Sequence, residues 1–172
     1  MVRYVHHQLA AAVEMVIAMA VTMPVIFGVR GLPHAGGGSV ILLLGFLGAF
    51  FGLLAVSVRS HWLGGEKREF ENAAALADPE TILPAPRESI RGSFDGSFIV
   101  FTAMFSLVFG LLWGPWVNIW VVVSIPERIV KGVYASFWER RHGVLLWRGR
   151  IAEQPLGKGQ FLYSSPRNPS PG

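Results

Sequence analysis

The sequence contains no cysteine, which excludes disulfides, thiolate metal sites and a cysteine nucleophile and leaves the redox compartment open. Charge is also scarce: Asp, Glu, Lys and Arg make up 15% of the 172 residues, against about 25% in soluble domains. With 52% hydrophobic residues and a mean hydropathy of +0.45, the composition does not fit a water-soluble domain. The chain has no GxSxG, Walker A or HExxH motif, no paired intramembrane carboxylates, no nucleic-acid-binding motif and no internal repeat. Those absences point away from an enzyme, from a bound cofactor or metal and from a nucleic-acid partner. The net charge of +4 and pI near 10.0 come from residues clustered outside the apolar runs, which directs the basic excess to an anionic lipid surface.

What is abundant is uncharged apolar sequence. Val40 to Val58 (VILLLGFLGAFFGLLAVSV) extends for about 19 residues, which at about 1.5 Å per residue approaches the ~30 Å hydrocarbon core of a bilayer. Gly45, Gly48, Gly52 and Ala55 recur in it at spacings of three and four, so they share one helix face, and Gly48 to Gly52 is a GxxxG. In lipid, small residues let helix backbones approach closely. This face is therefore expected to be a packing site, for a neighbour inside or outside the chain.

Leu9 to Val29 is a second apolar run, bent by Pro24 where membrane neighbours can satisfy the freed carbonyl. Arg3 and Ala18-Met19-Ala20 also suit a secretory signal, although Glu14 interrupts its would-be core and the run continues past Ala20. Phe98 to Ile125 is a third run, interrupted by Trp113-Gly114-Pro115-Trp116. It is either one broken span or a hairpin of two short helices. Basic residues are enriched on cytoplasmic flanks, and only the hairpin puts the Arg59 to Arg91 cations, the basic tail and Arg3 on one side, leaving Arg30 across the membrane.

The expected architecture is an all-α integral membrane protein, a small bundle of four membrane segments. Residues 1–58 hold the first two helices, 59–97 a polar cytoplasmic loop, 98–126 the hairpin, 127–163 an amphipathic interfacial segment and 164–172 a disordered tail. Glu66 to Ala77 is expected as a helix on the membrane surface, with Phe70 on its apolar face. Val144 to Ile151 and Gln160 to Tyr163 are a candidate strand pair. Both termini are expected in the cytoplasm of a bacterial cell, with the chain in the inner membrane.

Glu14 is the single acidic residue within an expected span. A carboxylate in hydrocarbon costs a few kcal/mol or more unless it is neutralised or paired, so it is either a proton- or cation-binding group or a glutamate hydrogen-bonded to a neighbour near the interface. Four short spans and a first-helix glutamate resemble the plan of small multidrug resistance transporters, from which the long Arg59 to Ser97 loop and the basic tail depart. Asn118 is expected to cap a helix or bond a carbonyl. Met15, Met19 and Met23 form a packing row, and His6, His7, His61 and His142 are expected at the interface. In PERIVKGVYASFWERR, Arg128, Lys131, Arg140 and Arg141 flank an apolar face and are expected to meet anionic lipid. The functional expectation is an accessory, interaction or immunity-type factor that binds a partner membrane protein or a second copy of itself in the lipid bilayer. The alternative is a proton- or cation-coupled transporter or channel component using Glu14.

Overall fold

A computed structural model describes residues 1–31, 45, 47–53, 56, 66–77, 79, 83–84, 86–149, 151 and 162–167. The fold is mostly helical, and two helical segments are long and apolar enough to cross a membrane, Tyr4–Arg30 and Glu88–Trp113. In chain order the elements are β1 (Val2–Arg3), α1 (Tyr4–Arg30), α2 (Glu66–Glu71), β2 (Ala74–Ala75), α3 (Pro86–Arg91), α4 (Gly96–Trp113), a 3₁₀ turn (Pro115–Asn118), α5 (Ile119–His142), β3 (Val144–Arg148) and β4 (Leu162–Pro166). Most of the Val40 to Val58 run lies outside the described residues; within it, 47–53 are helical.

Helix α1 is the central element and packs against both α4 and α5. Contacts from Glu14 to Asp95, Thr22 to Ser106 and Arg30 to Leu111 run in the same direction along the chain, so α4 lies parallel to α1. Contacts from Arg3 to Glu139, Gln8 to Arg128 and Met23 to Asn118 run oppositely, so α5 returns antiparallel. The third apolar run is thus a helical hairpin. Its turn is made at Gly114, whose φ of 94° suits glycine, followed by Pro115 at the first position of the 3₁₀ turn, where its missing N–H costs nothing. Trp113 and Trp116 are exposed beside the turn, and Phe105 meets Trp120 edge-on at 5.3 Å between the two legs.

The all-α expectation needs correction, because a four-stranded sheet in the order β1-β3-β4-β2 closes one end of the bundle. β3 pairs antiparallel with β4, as Trp147↔Tyr163 and Leu146↔Ser164; β1 pairs with β3, and β2 runs parallel to β4. Successive strand residues point to opposite faces. Leu146 and Leu162 accordingly join Tyr4, Val5, Phe70 and Ala135 on one face, while Trp147 and Tyr163 join Leu76 and Ile151 on the other. Two apolar faces on one hairpin require cover from both sides, which is why the N-terminus and the 66–77 segment are drawn in.

Two further expectations change with the sheet. The 66–77 segment is helical only to Glu71, and Phe70 is buried among Tyr4, Tyr134 and Trp138 at centroid distances of 5.3, 5.9 and 5.5 Å, facing protein instead of lipid. The start of the expected disordered tail, Ser164–Pro166, belongs to β4.

Candidate functional site

The charges of α1 sit at the two ends of α4. Asp95, the N-cap of α4, donates its backbone N–H to Glu14 Oε1 and accepts the Ser97 N–H at 3.0 Å on its own carboxylate. At the opposite end, Arg30 donates from Nε to the Leu111 carbonyl at 2.6 Å and from Nη2 to the Leu112 carbonyl at 2.9 Å. A helix leaves its first N–H and last C=O groups unpaired and carries about half a unit of positive charge at its N-terminus and half a negative unit at its C-terminus. A carboxylate at the first and a guanidinium at the second are complementary to both the dipole and the unpaired groups. Glu14 is 2% exposed. Its carboxylate is engaged in fixing where α4 begins along α1.

Between these ends runs a seam of small and polar side chains. The buried residues of α4 are Thr102, Ser106 and Gly110, spaced four apart. Thr22 Oγ1 donates to the Ala18 carbonyl at 2.9 Å and lies 3.1 Å from Ser106 Oγ. A Cβ placed on Gly110 would overlap Ile26 Cδ1 and lie 2.8 Å from Asn118 Nδ2, so α4 approaches α1 and the 3₁₀ turn closely here. Asn118 is buried; its Nδ2 reaches Met23 Sδ at 3.9 Å, and its Oδ1 has no partner. Met19 Sδ similarly receives Ser106 Oγ at 3.8 Å. The methionine row and Asn118 therefore line an interhelical seam.

At the sheet end, Arg3 and Glu139 form an ion pair in which Glu139 is 1% exposed. Glu139 Oε1 also accepts the Leu146 N–H at 3.0 Å, tying α5, β1 and β3 together. Ser89 Oγ accepts the Arg3 N–H at 3.0 Å and lies 3.3 Å from His6 Nδ1. Lys131 bridges Glu66 at 2.8 Å and Glu127 at 2.9 Å. Burial opposes the Lys131 charge, but these two carboxylates outweigh it and hold its pKa above the ordinary value. Burial, together with the neighbouring Glu66, holds the Glu69 carboxyl above its ordinary range.

The residues singled out from sequence thus separate. Gly45, Gly48 and Gly52 are exposed, and a Cβ on any of them meets no described atom within 4 Å; Ala55 lies outside the described residues. Of the four expected lipid-facing cations, Arg128 turns to Gln8 Oε1 at 3.1 Å and Lys131 to its two glutamates, while Arg140 and Arg141 are exposed. His142 stacks on Trp138 at 4.0 Å, and His61 lies outside the described residues. Among the described residues no group of three or more His, Cys, Asp or Glu is placed to hold a metal. Sequence reasoning missed Gly110 and the Arg3–Glu139 pair. The Thr102, Ser106, Gly110 row was a usable signal for the first; the second joins residues 136 apart in sequence and had none.

No protein-family model matches the chain, and no curated protein and no solved structure matches it.

Proposed function

We propose that this chain is a small integral membrane protein that assembles with a partner membrane protein as an accessory, regulatory or immunity-type subunit. The observation that carries the reading is the outward-facing row of Gly45, Gly48 and Gly52, with no described atom within 4 Å of an added Cβ. A small-residue face in lipid gains by close backbone approach to another helix, and this one remains available to a neighbour.

The proposal includes a topology of four membrane segments with both termini and the sheet on the cytoplasmic side and the Gly114–Pro115 turn on the other. Interpolating between the Gly132 contact with Gln8 and the Asn118 contact with Met23 brings Pro126 and Glu127 level with Glu14, with Arg128 next along the helix. Together with Asp95 they form a polar belt at one depth. From that belt to Arg30 the helix rises about 24 Å at about 1.5 Å per residue, a few Å under an average hydrocarbon core and within what local thinning accommodates. Exposed Leu, Val, Ile and Phe side chains on α1 and α4 between the belt and the turn supply a lipid-facing surface.

The transporter alternative rests on Glu14, and the engagement of that carboxylate at the start of α4 weighs against it. One experiment separates the two. The tagged full chain is recovered in mild detergent and its co-purifying membrane proteins, including a differently tagged second copy, are quantified. Gly48→Leu with Gly52→Leu should abolish recovery of the partner, and Glu14→Gln should leave it intact. Loss of proton- or cation-dependent uptake in Glu14→Gln, with assembly unchanged, would favour the transporter.

A further inference from the structure

Beyond the polar belt, the apolar face of α5 is divided. Tyr134 and Trp138 pack on Phe70, whereas Ile129, Val133 and Phe137, at successive helical turns, are 43%, 62% and 64% exposed. Together with α2 they form a groove of about 940 Å³, rimmed by Lys67 and Glu71 on one side and by Arg141 and His142 at the end of α5. That volume is within the range of about 300–1,000 Å³ that holds small ligands.

We propose that this groove binds one anionic phospholipid lifted from the bilayer, with its headgroup phosphate at Arg141, about 20 Å beyond the belt at about 1.5 Å per residue, and an acyl chain running back along Phe137, Val133 and Ile129. Two features identify the occupant. The exposed apolar stripe begins at Val122, in the membrane part of α5, and continues through Ile129 to Phe137, so an acyl chain can follow it from the bilayer without crossing polar surface. It ends where Arg141 supplies donors for an anion; Lys67 on the facing helix lies 3.8 Å from Glu71, the one carboxylate on the rim, and His142 Nδ1 lies 2.9 Å from the Trp138 carbonyl. A neutral partner helix would cover the stripe but leave Arg141 unused. The inference rests on membrane residence of α4 and α5, not on the identity of any partner protein.

The test uses the full chain in a neutral detergent, titrated with phosphatidylglycerol, phosphatidylcholine or glycerol 3-phosphate, with bound lipid counted by native mass spectrometry. One phosphatidylglycerol should be retained in preference to phosphatidylcholine, and glycerol 3-phosphate should not displace it. Arg141→Gln should weaken phosphatidylglycerol retention about fivefold, the effect of one cation near an anionic surface, with little change for phosphatidylcholine. Val133→Glu, at an exposed position that leaves the fold intact by circular dichroism, should abolish retention of both, and Val133→Leu should restore it. Equal retention of the two lipids would overturn the headgroup assignment, and displacement by glycerol 3-phosphate would reduce the site to a phosphate site without an acyl groove. Retention by Val133→Glu equal to that of the unmodified chain would overturn the groove itself. A chain that leaves the membrane fraction in alkaline carbonate would instead refute membrane residence.

Discussion

Replacing Gly110 tests a close contact of α4 with α1 and the 3₁₀ turn. Its added Cβ would overlap Ile26 Cδ1 and stand 2.8 Å from Asn118 Nδ2. Both obstructing atoms are side-chain ends, but Ile26 is 0% and Asn118 1% exposed, so neither can swing into open space. Overpacking of this kind costs about 1–3 kcal/mol, and the helix-propensity gain of Ala over Gly returns up to about 1 kcal/mol. Gly110→Ala should therefore destabilise by about 1 kcal/mol on balance, roughly a fivefold change in the unfolding equilibrium. Gly110→Leu should exceed about 3 kcal/mol. Gly48→Leu, at an exposed glycine, should fall within about 0.5 kcal/mol for the isolated chain. Unfolding in mixed micelles with increasing denaturing detergent, followed by far-ultraviolet circular dichroism, gives all three values. A Gly110→Leu chain as stable as the unmodified protein would refute the packing of α4 against α1 and the 3₁₀ turn.

Other predictions concern the polar contacts. Glu14→Gln keeps an acceptor for the Asp95 N–H and should cost only about 0.3–1 kcal/mol of charge–dipole interaction, while Glu14→Ala also loses the hydrogen bond and should cost about 1–3 kcal/mol; equal effects in the same unfolding assay would mean the contact is absent. Glu139→Ala leaves the Leu146 N–H without its acceptor and Arg3 without its counter-ion, and should cost about 3 kcal/mol, detected as earlier loss of near-ultraviolet tryptophan signal; a neutral result would contradict the α5–sheet junction. The pKa of Lys131 is raised above its ordinary 10.5, so its contribution is fully present below that pH and is lost as pH rises through the higher folded value. Stability should therefore decline on the alkaline side of about pH 10.5, and Lys131→Met should flatten that limb; an unchanged slope would show that the bridge to Glu66 and Glu127 contributes nothing.

What was legible in the sequence was what a short window encodes. Apolar length revealed α1 and α4, and the Trp-Gly-Pro-Trp break together with the distribution of Lys and Arg revealed the hairpin. The β3–β4 pair was visible as two short apolar runs. The sheet that they nucleate was not, because Val2–Arg3 and Ala74–Ala75 have no strand signal of their own and are recruited by the open edges of that pair. Hydropathy marked the apolar run as beginning at Leu9, whereas helix α1 begins at Tyr4, because Tyr4 and Val5 are held in the sheet's core, which a hydropathy window does not register. Arg128 and Lys131 have basic side chains on an amphipathic helix, which suggested a lipid-facing surface, but their partners Gln8 and Glu66 are distant in sequence and turn both cations inward. Glycine spacing drew attention to Gly48 and Gly52, which are exposed, and passed over Gly110, which is packed, because a regular GxxxG is easier to see than a mixed Thr, Ser, Gly row.

The account depends most on the hairpin crossing the membrane with its turn on the side opposite the sheet. The natural absence of cysteine makes single-cysteine labelling clean. Trp116→Cys at the turn and Arg167→Cys after β4 can each be treated in intact cells with a membrane-impermeant maleimide, before and after permeabilisation. The account predicts that the cysteine at 116 is labelled in intact cells and the one at 167 only after permeabilisation. Labelling of both positions from the same side would contradict it.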